Sequence, residues 1–411
     1  MTETLKQIFH RMSIVFSNQL AILITIPYIT FTLGIEEYGI VAAGIILVQI
    51  CWVLCDWGFG YHSIEFFSKN KSTKLRNQYF SSVFIIKIII ICFFSLFVYL
   101  LAQSKLILVT NQYLLLSLFL PFLTGGLNPL NFLQAIKKPK YLVKPTFFSR
   151  ILYLILIFSL VKNFESSYWV FVAQGITMFF ISFYGYLVLF KMYNFKLVLP
   201  NVFFLKKQFF EATPFFLNGI ITINFSSFWG FGLSLLAGPF QIAIYSLADL
   251  VLRSANTLST VVPHTIRANY IDEPLQKIKR IIFSFTLFYL VLMIIGILVI
   301  PIFIKIFFDS SFYASIYVIQ IMLIVWFIGS INKLLGFPVF SKIYDSKRLN
   351  QLVYLFGMLH LSAFGIWASF SSYQADQLVL YLLFISVLEC IIFALFILMK
   401  YLKKPNSKAI K

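Results

Sequence analysis

The stretch YFSSVFIIKIIIICFFSLFVYLLA, Tyr79 to Ala102, holds one charged residue, Lys87, among 24. As an α-helix it would be about 36 Å long, enough to cross a hydrocarbon core of about 30 Å. Working outward with the same ruler, apolar runs of spanning length recur near 13–34, 38–60, 108–133, 141–161, 168–190, 209–236, 239–264, 281–304, 312–335, 349–370 and 377–399. The chain of 411 residues is 60% hydrophobic and 11% charged, where soluble domains are about 25% charged. The expectation is an all-α polytopic membrane protein of about twelve transmembrane helices. The first run reaches spanning length without a small-residue cleavage site, so it reads as a retained helix. Cys51, Cys55, Cys92 and Cys390 fall in apolar segments without metal-ligand or disulfide spacing and read as packing residues.

Charge sets the orientation. With both ends on the cytoplasmic side, 26 Lys and Arg fall in inner segments and three, Lys105, Lys162 and Lys305, fall outside. This is the positive-inside bias of a multi-pass protein of the bacterial cell inner membrane. It also accounts for the net charge of +19 with no nucleic-acid partner. The connecting segments are short, leaving no room for a soluble catalytic domain, and no Gly-rich Lys-Ser/Thr loop is present to hold nucleotide phosphates. We therefore expect no enzyme, no catalytic residues, no cofactor and no metal.

The chain repeats itself. LKQIFHRMSIVFSN at Leu5–Asn18 aligns with LKKQFFEATPFFLN at Leu205–Asn218 through Leu5/Leu205, Lys6/Lys206, Phe9/Phe209, Phe16/Phe216 and Asn18/Asn218. Gly34 and Gly238 stand at a similar offset before the second and eighth spans, and Ile136, Lys140 and Leu142 match Ile343, Lys347 and Leu349. The offset near 200 divides the chain into two six-helix bundles, 1–199 and 200–411. Because six is even, the halves insert in the same orientation, a pseudo-symmetry suited to transporters with a central cavity.

Charges inside spans are expensive and mark function or glue. In SLADLVLRSAN, Ser246–Asn256, Asp249 and Arg253 stand four residues apart. Together with Ser246, Asn256, Thr257, Thr260 and His264 they recur at helical spacing and form one polar stripe. Such a stripe is at home against water, so this span is expected to line a hydrated cavity; the plainer reading is an ion pair that holds helices together. Arg150, Lys87 and Lys333 are further cations within spans, and the latter two lie near inner ends from which lysine can snorkel. Gln49, Trp52 and Asp56 share one face of the second span, and Asn218, Thr222, Ser226 and Trp229 one face of the seventh. Arginines bind phosphate through parallel hydrogen bonds, so Arg253 and Arg150 suit a phosphate or pyrophosphate passenger. Asp249, Asp56 and Glu389 are candidates for coupling to H+ or Na+.

The segment LGIEEYG, Leu33–Gly39, resembles the Leu-Gly-x-x-x-Tyr-Gly signature of bacterial O-antigen flippases, the Wzx-type polysaccharide transporters of the multidrug/oligosaccharidyl-lipid/polysaccharide exporter superfamily. IYSLADLVLR, Ile244–Arg253, is similar to its second-half counterpart, and Pro263 to a proline near the end of that helix. NPLNFLQAIKKPKYL, Asn128–Leu142, resembles another family segment, with Asn131 and Ala135 where tryptophan and glycine are common and Leu250 where a lysine is frequent. The resemblance implies a carrier moving undecaprenyl-pyrophosphate-linked oligosaccharide to the periplasmic leaflet in lipopolysaccharide biosynthesis. Its implied partners are the lipid-linked substrate, membrane lipids, a coupling ion and a polysaccharide polymerase. The alternatives are a multidrug antiporter of the same superfamily and a membrane O-antigen polymerase or ligase. The polymerase or ligase should carry a long outer loop, which this chain lacks, and the antiporter a cavity dominated by carboxylates.

Overall fold

The computed structural model describes residues 3–223, 225–270, 275–340, 343–344 and 346–402, with side chains over 21–217, 228–259, 262–263, 279–336, 339–340, 343–344, 348–349 and 351–400. Among the described residues every regular element is helical, and nine helical segments are long and apolar enough to cross a membrane. The protein is an all-α, multi-pass membrane protein.

The first two expected spans form one element, α1 (Glu3–Asp56), broken only at Gly34, whose backbone lies at φ 75 and ψ 169. That left-handed φ is open to glycine at little cost. Five residues on, a Cβ at Gly39 would stand 2.0 Å from the Pro239 carbonyl oxygen. The signature glycines thus have local reasons: one turns the chain and the other admits a backbone. After α1 come α2 (Phe59–Lys69), α3 (Thr73–Gln103), α4 (Gln112–Gly126), α5 (Leu130–Ala135), α6 (Val143–Leu160), α7 (Trp169–Tyr193), α8 (Val202–Ile223), α9 (Phe225–Leu236) and α10 (Pro239–Tyr270). The chain ends with α11 (Leu275–Phe307), α12 (Ser315–Leu334), a π-helical turn at Leu335–Phe340, α13 (Ser346–Phe370) and α14 (Ala375–Leu402).

Helix α3, which contains the opening stretch, shows how the pattern sorts itself. Val83, Ile86, Lys87, Ile91, Phe94, Val98 and Ala102 are buried and, apart from the adjacent pair Ile86 and Lys87, recur at intervals of three and four, while Phe93, Leu96, Phe97 and Leu100 are exposed for contact with lipid. Lys87 therefore lies on the protein-facing side. The expected span 108–133 is not one helix: it breaks between α4 and α5, where Pro129 brings no N–H to continue the ladder.

The chain divides into two compact units, Met1–Ala243 and Ile244–Lys411. This boundary falls later than the 199/200 repeat boundary because α8 packs on α2 and α3, and α9 packs on α1. Trp57 sits between Phe209 and Phe216, with ring centroids at 4.6 and 4.0 Å, and donates to Thr213 Oγ1 at 3.2 Å. In the second unit Phe340, at the end of the π-turn, forms a buried aromatic and aliphatic cluster with Leu352, Phe356 and Phe393.

Candidate functional site

In the first unit Lys87, Ser149 and Arg150 are buried, and Asp56 and Trp52 are half-buried. Lys87 is 3% exposed and donates to the Asn128 carbonyl at 3.4 Å, with the Asp56 carboxylate acting on it electrostatically. Asp56 Oδ1 accepts a 2.6 Å hydrogen bond from Asn131 Nδ2, so α5 is tied to the end of α1. Trp52, on the same face as Asp56, donates to Pro121 O at 2.8 Å. Arg150 on α6 is 7% exposed and approaches Met178 Sδ of α7 at 3.9 Å. Beside it Ser149 Oγ donates to Thr177 O at 2.8 Å. These groups sit where helices meet.

The second unit is arranged differently. On α10, Arg253 Nη2 lies 3.0 Å from Asp249 Oδ2; the aspartate side chain is 1% exposed and the arginine 29%. Asp249 is thus a buried anchor that holds a guanidinium at an accessible surface. Its Oδ1 is buried without a hydrogen-bond partner among the described residues. One and two turns further, Thr257 Oγ1 donates to the Arg253 carbonyl at 3.3 Å and Ser259 Oγ to the Asn256 carbonyl at 3.3 Å. Ser246, Asn256 and Thr257 are half-buried. Thr260 and His264, at the end of the expected stripe, and Asn218, Thr222 and Ser226 on the seventh span have side chains outside the described residues.

Lys333 joins the stripe from another helix. Its Nζ donates to Asn256 Oδ1 at 2.7 Å and to Ser259 Oγ at 3.1 Å. Among the described residues no carboxylate lies within ion-pair distance of this ammonium, so its charge is uncompensated there. Neutral acceptors fix where it stands without cancelling what it offers an anion.

Glu389, midway along α14, belongs to a further cluster. Its Oε1 is 3.3 Å from His360 Nε2 of α13, and its Oε2 is 3.3 Å from Asn332 Nδ2 of α12, which also donates to Ser386 O at 3.0 Å. Sequence reading missed His360, Asn332 and Ser259. A lone imidazole or amide inside an apolar span was the available signal. The structure therefore brings together Asp249 with Arg253, Asn256 with Lys333, and Asp56 with the Lys87 region, while Glu389 goes with two residues that the stripe does not contain.

Comparison with known proteins decides the family. The sequence profile of the polysaccharide biosynthesis protein family matches residues 4–263. The chain belongs to that family. A search of curated protein sequences returned no match. The fold is shared with solved transporters at low identity. A multidrug resistance MATE family transporter of the MOP superfamily, in an inward-facing conformation, superposes with TM-score 0.67 at 11% identity, over 93% of this chain and 96% of that one. The lipid II flippase MurJ, in an inward closed conformation, superposes with TM-score 0.65 at 15% identity, over 98% and 94% of the two chains. A MOP superfamily transporter from Pyrococcus furiosus, described as having a binding pocket of reverse polarity, gives TM-score 0.59 at 13% identity over 97% and 95% of the two chains. This family member thus shares the fold of these solved transporters along essentially its whole length.

Proposed function

We propose that the protein is a flippase that moves undecaprenyl-pyrophosphate-linked O-antigen oligosaccharide units from the cytoplasmic to the periplasmic leaflet of the bacterial inner membrane by alternating access, with both termini cytoplasmic. The observation that carries this reading is the presentation of Lys333 by Asn256 and Ser259 on the same helix that exposes Arg253. An ammonium without a counter-charge and a partly exposed guanidinium suit a pyrophosphate, which accepts charge-assisted hydrogen bonds from both. Ser246, Asn256, Thr257 and Thr260 would meet sugar hydroxyls or water, exchanging hydrogen bonds as the head group passes. The polyprenyl tail needs no polar path and stays in the bilayer. Arg150, buried in the first unit, has a supporting role in this reading. The protein makes and breaks no covalent bond; the gradient of a coupling ion, or removal of product by a polymerase, supplies direction.

The second reading is a cation-exporting multidrug antiporter, favoured by the fold likeness to a MATE transporter and by the intramembrane carboxylates of buried Asp249 and half-buried Glu389. The test is a strain lacking the gene, examined for surface polysaccharide and for the leaflet position of its lipid-linked oligosaccharide. Intact oligosaccharide trapped on the cytoplasmic leaflet is the expected outcome. An unchanged polysaccharide profile with altered drug tolerance would favour the antiporter instead, and single repeat units still reaching the surface would indicate a polymerase.

A further inference from the structure

The connector between α7 and α8 is fixed in place yet turns apolar side chains outward. Asn194 ends α7 in a left-handed turn, φ 53. Phe195 then buries its ring against Phe67 and Phe80, with centroids at 5.9 and 5.2 Å. The next two hydrogen bonds go to α3: Lys196 N–H donates to Asn77 Oδ1 at 3.2 Å, and Val198 N–H to Ser81 Oγ at 2.9 Å. At the start of α8, Asn201 Oδ1 accepts from Phe203 N at 3.0 Å. Leu199, 95% exposed, and Phe203, 85% exposed, extend from this pinned backbone.

Exposure alone does not name what covers these side chains; depth and charge do. Asn77 and Ser81 straddle the start of the apolar run at Tyr79, and Lys74 and Arg76 come just before it. The connector therefore lies at the level where α3 passes from a charged turn into a span of membrane length. On α8 the exposed residues Val202, Phe203, Lys206, Lys207 and Phe210 follow at helical spacing and form one stripe. It mixes apolar side chains, which favour acyl chains, with ammonium groups on stems long enough to reach head groups. Lys207 is 3.9 Å from Glu211, which partly neutralises it. Among the described residues no ion pair involves Lys196 or Lys206.

We propose that the α7–α8 connector and the first turns of α8 bind anionic phospholipid at the membrane surface, with Leu199, Val202 and Phe203 among the acyl chains and Lys196 and Lys206 on head-group phosphates. A leaflet without net charge would cover the apolar side chains but give the two ammonium groups no counter-charge. A soluble partner would have to reach the same side chains through the head groups. In the orientation proposed above this is the cytoplasmic leaflet, but the lipid contact requires no cargo and does not rest on the flippase reading.

The test places the full chain in vesicles of mixed phosphatidylcholine and phosphatidylglycerol, in which one lipid or the other carries brominated acyl chains that quench a nearby indole. Phe203→Trp supplies the indole, and the unsubstituted chain, with six tryptophans, gives the background. The added emission should be quenched by both lipids, with phosphatidylglycerol preferred about tenfold, the order expected for two lysines at an anionic surface. That preference should fall to near parity when Lys196→Gln and Lys206→Gln are combined and when salt is raised, while quenching by phosphatidylcholine persists. Added emission untouched by either brominated lipid would mean that water, a second copy or another protein covers the stripe, and would overturn the proposal. Equal quenching by the two lipids in the chain with its lysines intact would overturn it too. Leu199→Trp repeats the measurement at an independent position if Phe203→Trp disturbs α8. Failure here leaves the cargo assignment untouched, and an unchanged polysaccharide profile in the deletion strain would leave this lipid contact standing.

Discussion

The two units place similar side chains in opposite settings. In the first, the cation Lys87 is 3% exposed and bound to a backbone carbonyl, with Asp56 held by Asn131. In the second, Arg253 is 29% exposed above a buried aspartate, and Lys333 is carried to Asn256 and Ser259 with no anionic partner among the described residues. A charge in a membrane can therefore be spent on tying helices together or kept available for a passenger. Exposure and the charge of the partner distinguish the two cases, and residue type does not.

Arg253→Ala is the strongest test of that difference. It leaves Asp249 buried without its partner, a loss that reaches about 3–5 kcal/mol for buried pairs and that we discount to roughly 1–3 kcal/mol because the arginine is partly solvated. Protein abundance and transport should both fall. The double variant Asp249→Asn with Arg253→Ala removes the orphan charge, so abundance should recover while transport stays low. Transport restored together with abundance would make the pair structural glue of the first unit's kind. Next in size is Lys333→Gln, which keeps a hydrogen-bonding head but removes the charge. Transport per molecule should drop about 10- to 100-fold, matching the 1.5–3 kcal/mol of a hydrogen bond to a charged group, with abundance near wild type and Lys333→Arg partly active. Export assays normalised to membrane protein level read both; unchanged transport in Lys333→Gln would remove this lysine from the site.

Much of the architecture was legible because membrane insertion imposes a length and a hydropathy on every span, and the buried face of α3 follows from 3.6-residue spacing. The break at Pro129 was also written in the chain, since Asn-Pro marks a turn, but continuous apolarity on either side concealed it. The pairing of α8 and α9 with the first unit was not legible, because the repeat signal reports relatedness and the aromatic packing of Trp57 with Phe209 and Phe216 reports contact. At the site, the Asp249–Arg253 pair is local and could be read at i,i+4. The approach of Lys333 to Asn256 spans 77 residues, and that of His360 to Glu389 joins two helices; no periodicity within one segment encodes either.

Lys87→Met sharpens the comparison from the other side and should have a much smaller effect. Replacing a dry ammonium with an apolar side chain of similar length is often neutral or stabilising, and α3 presents this position to a packed interface. Transport per molecule should remain within about twofold of wild type, the scale of a ±0.5 kcal/mol perturbation. A loss as large as that of Lys333→Gln would place Lys87 among the residues that meet the passenger and erase the distinction between the units.

The smallest predicted effect lies in the turns that precede α7 and α12, where the units again solve one problem with different chemistry. Asn163 caps the turn Phe164–Ser166, accepting from Ser166 N at 3.1 Å, whereas Asp309 caps Ser310–Phe312, accepting from Ser311 N at 3.0 Å. The backbone N–H of Ser311 holds the Asp309 carboxyl below its ordinary range. A depressed carboxylate contributes stability that is fully present above its unfolded value, about 3.9, and is lost as pH falls through the lower folded value. Amide exchange at Ser311, corrected for the intrinsic pH dependence, should thus be flat from neutral pH to about 5 and rise only in stronger acid. Asn163 does not titrate, so Ser166 should show no such rise, and Asp309→Asn should make the second turn behave like the first. An equal acid response at both turns would mean that the helices loosen together, and the cap charge would then have no separate part in the difference between the units.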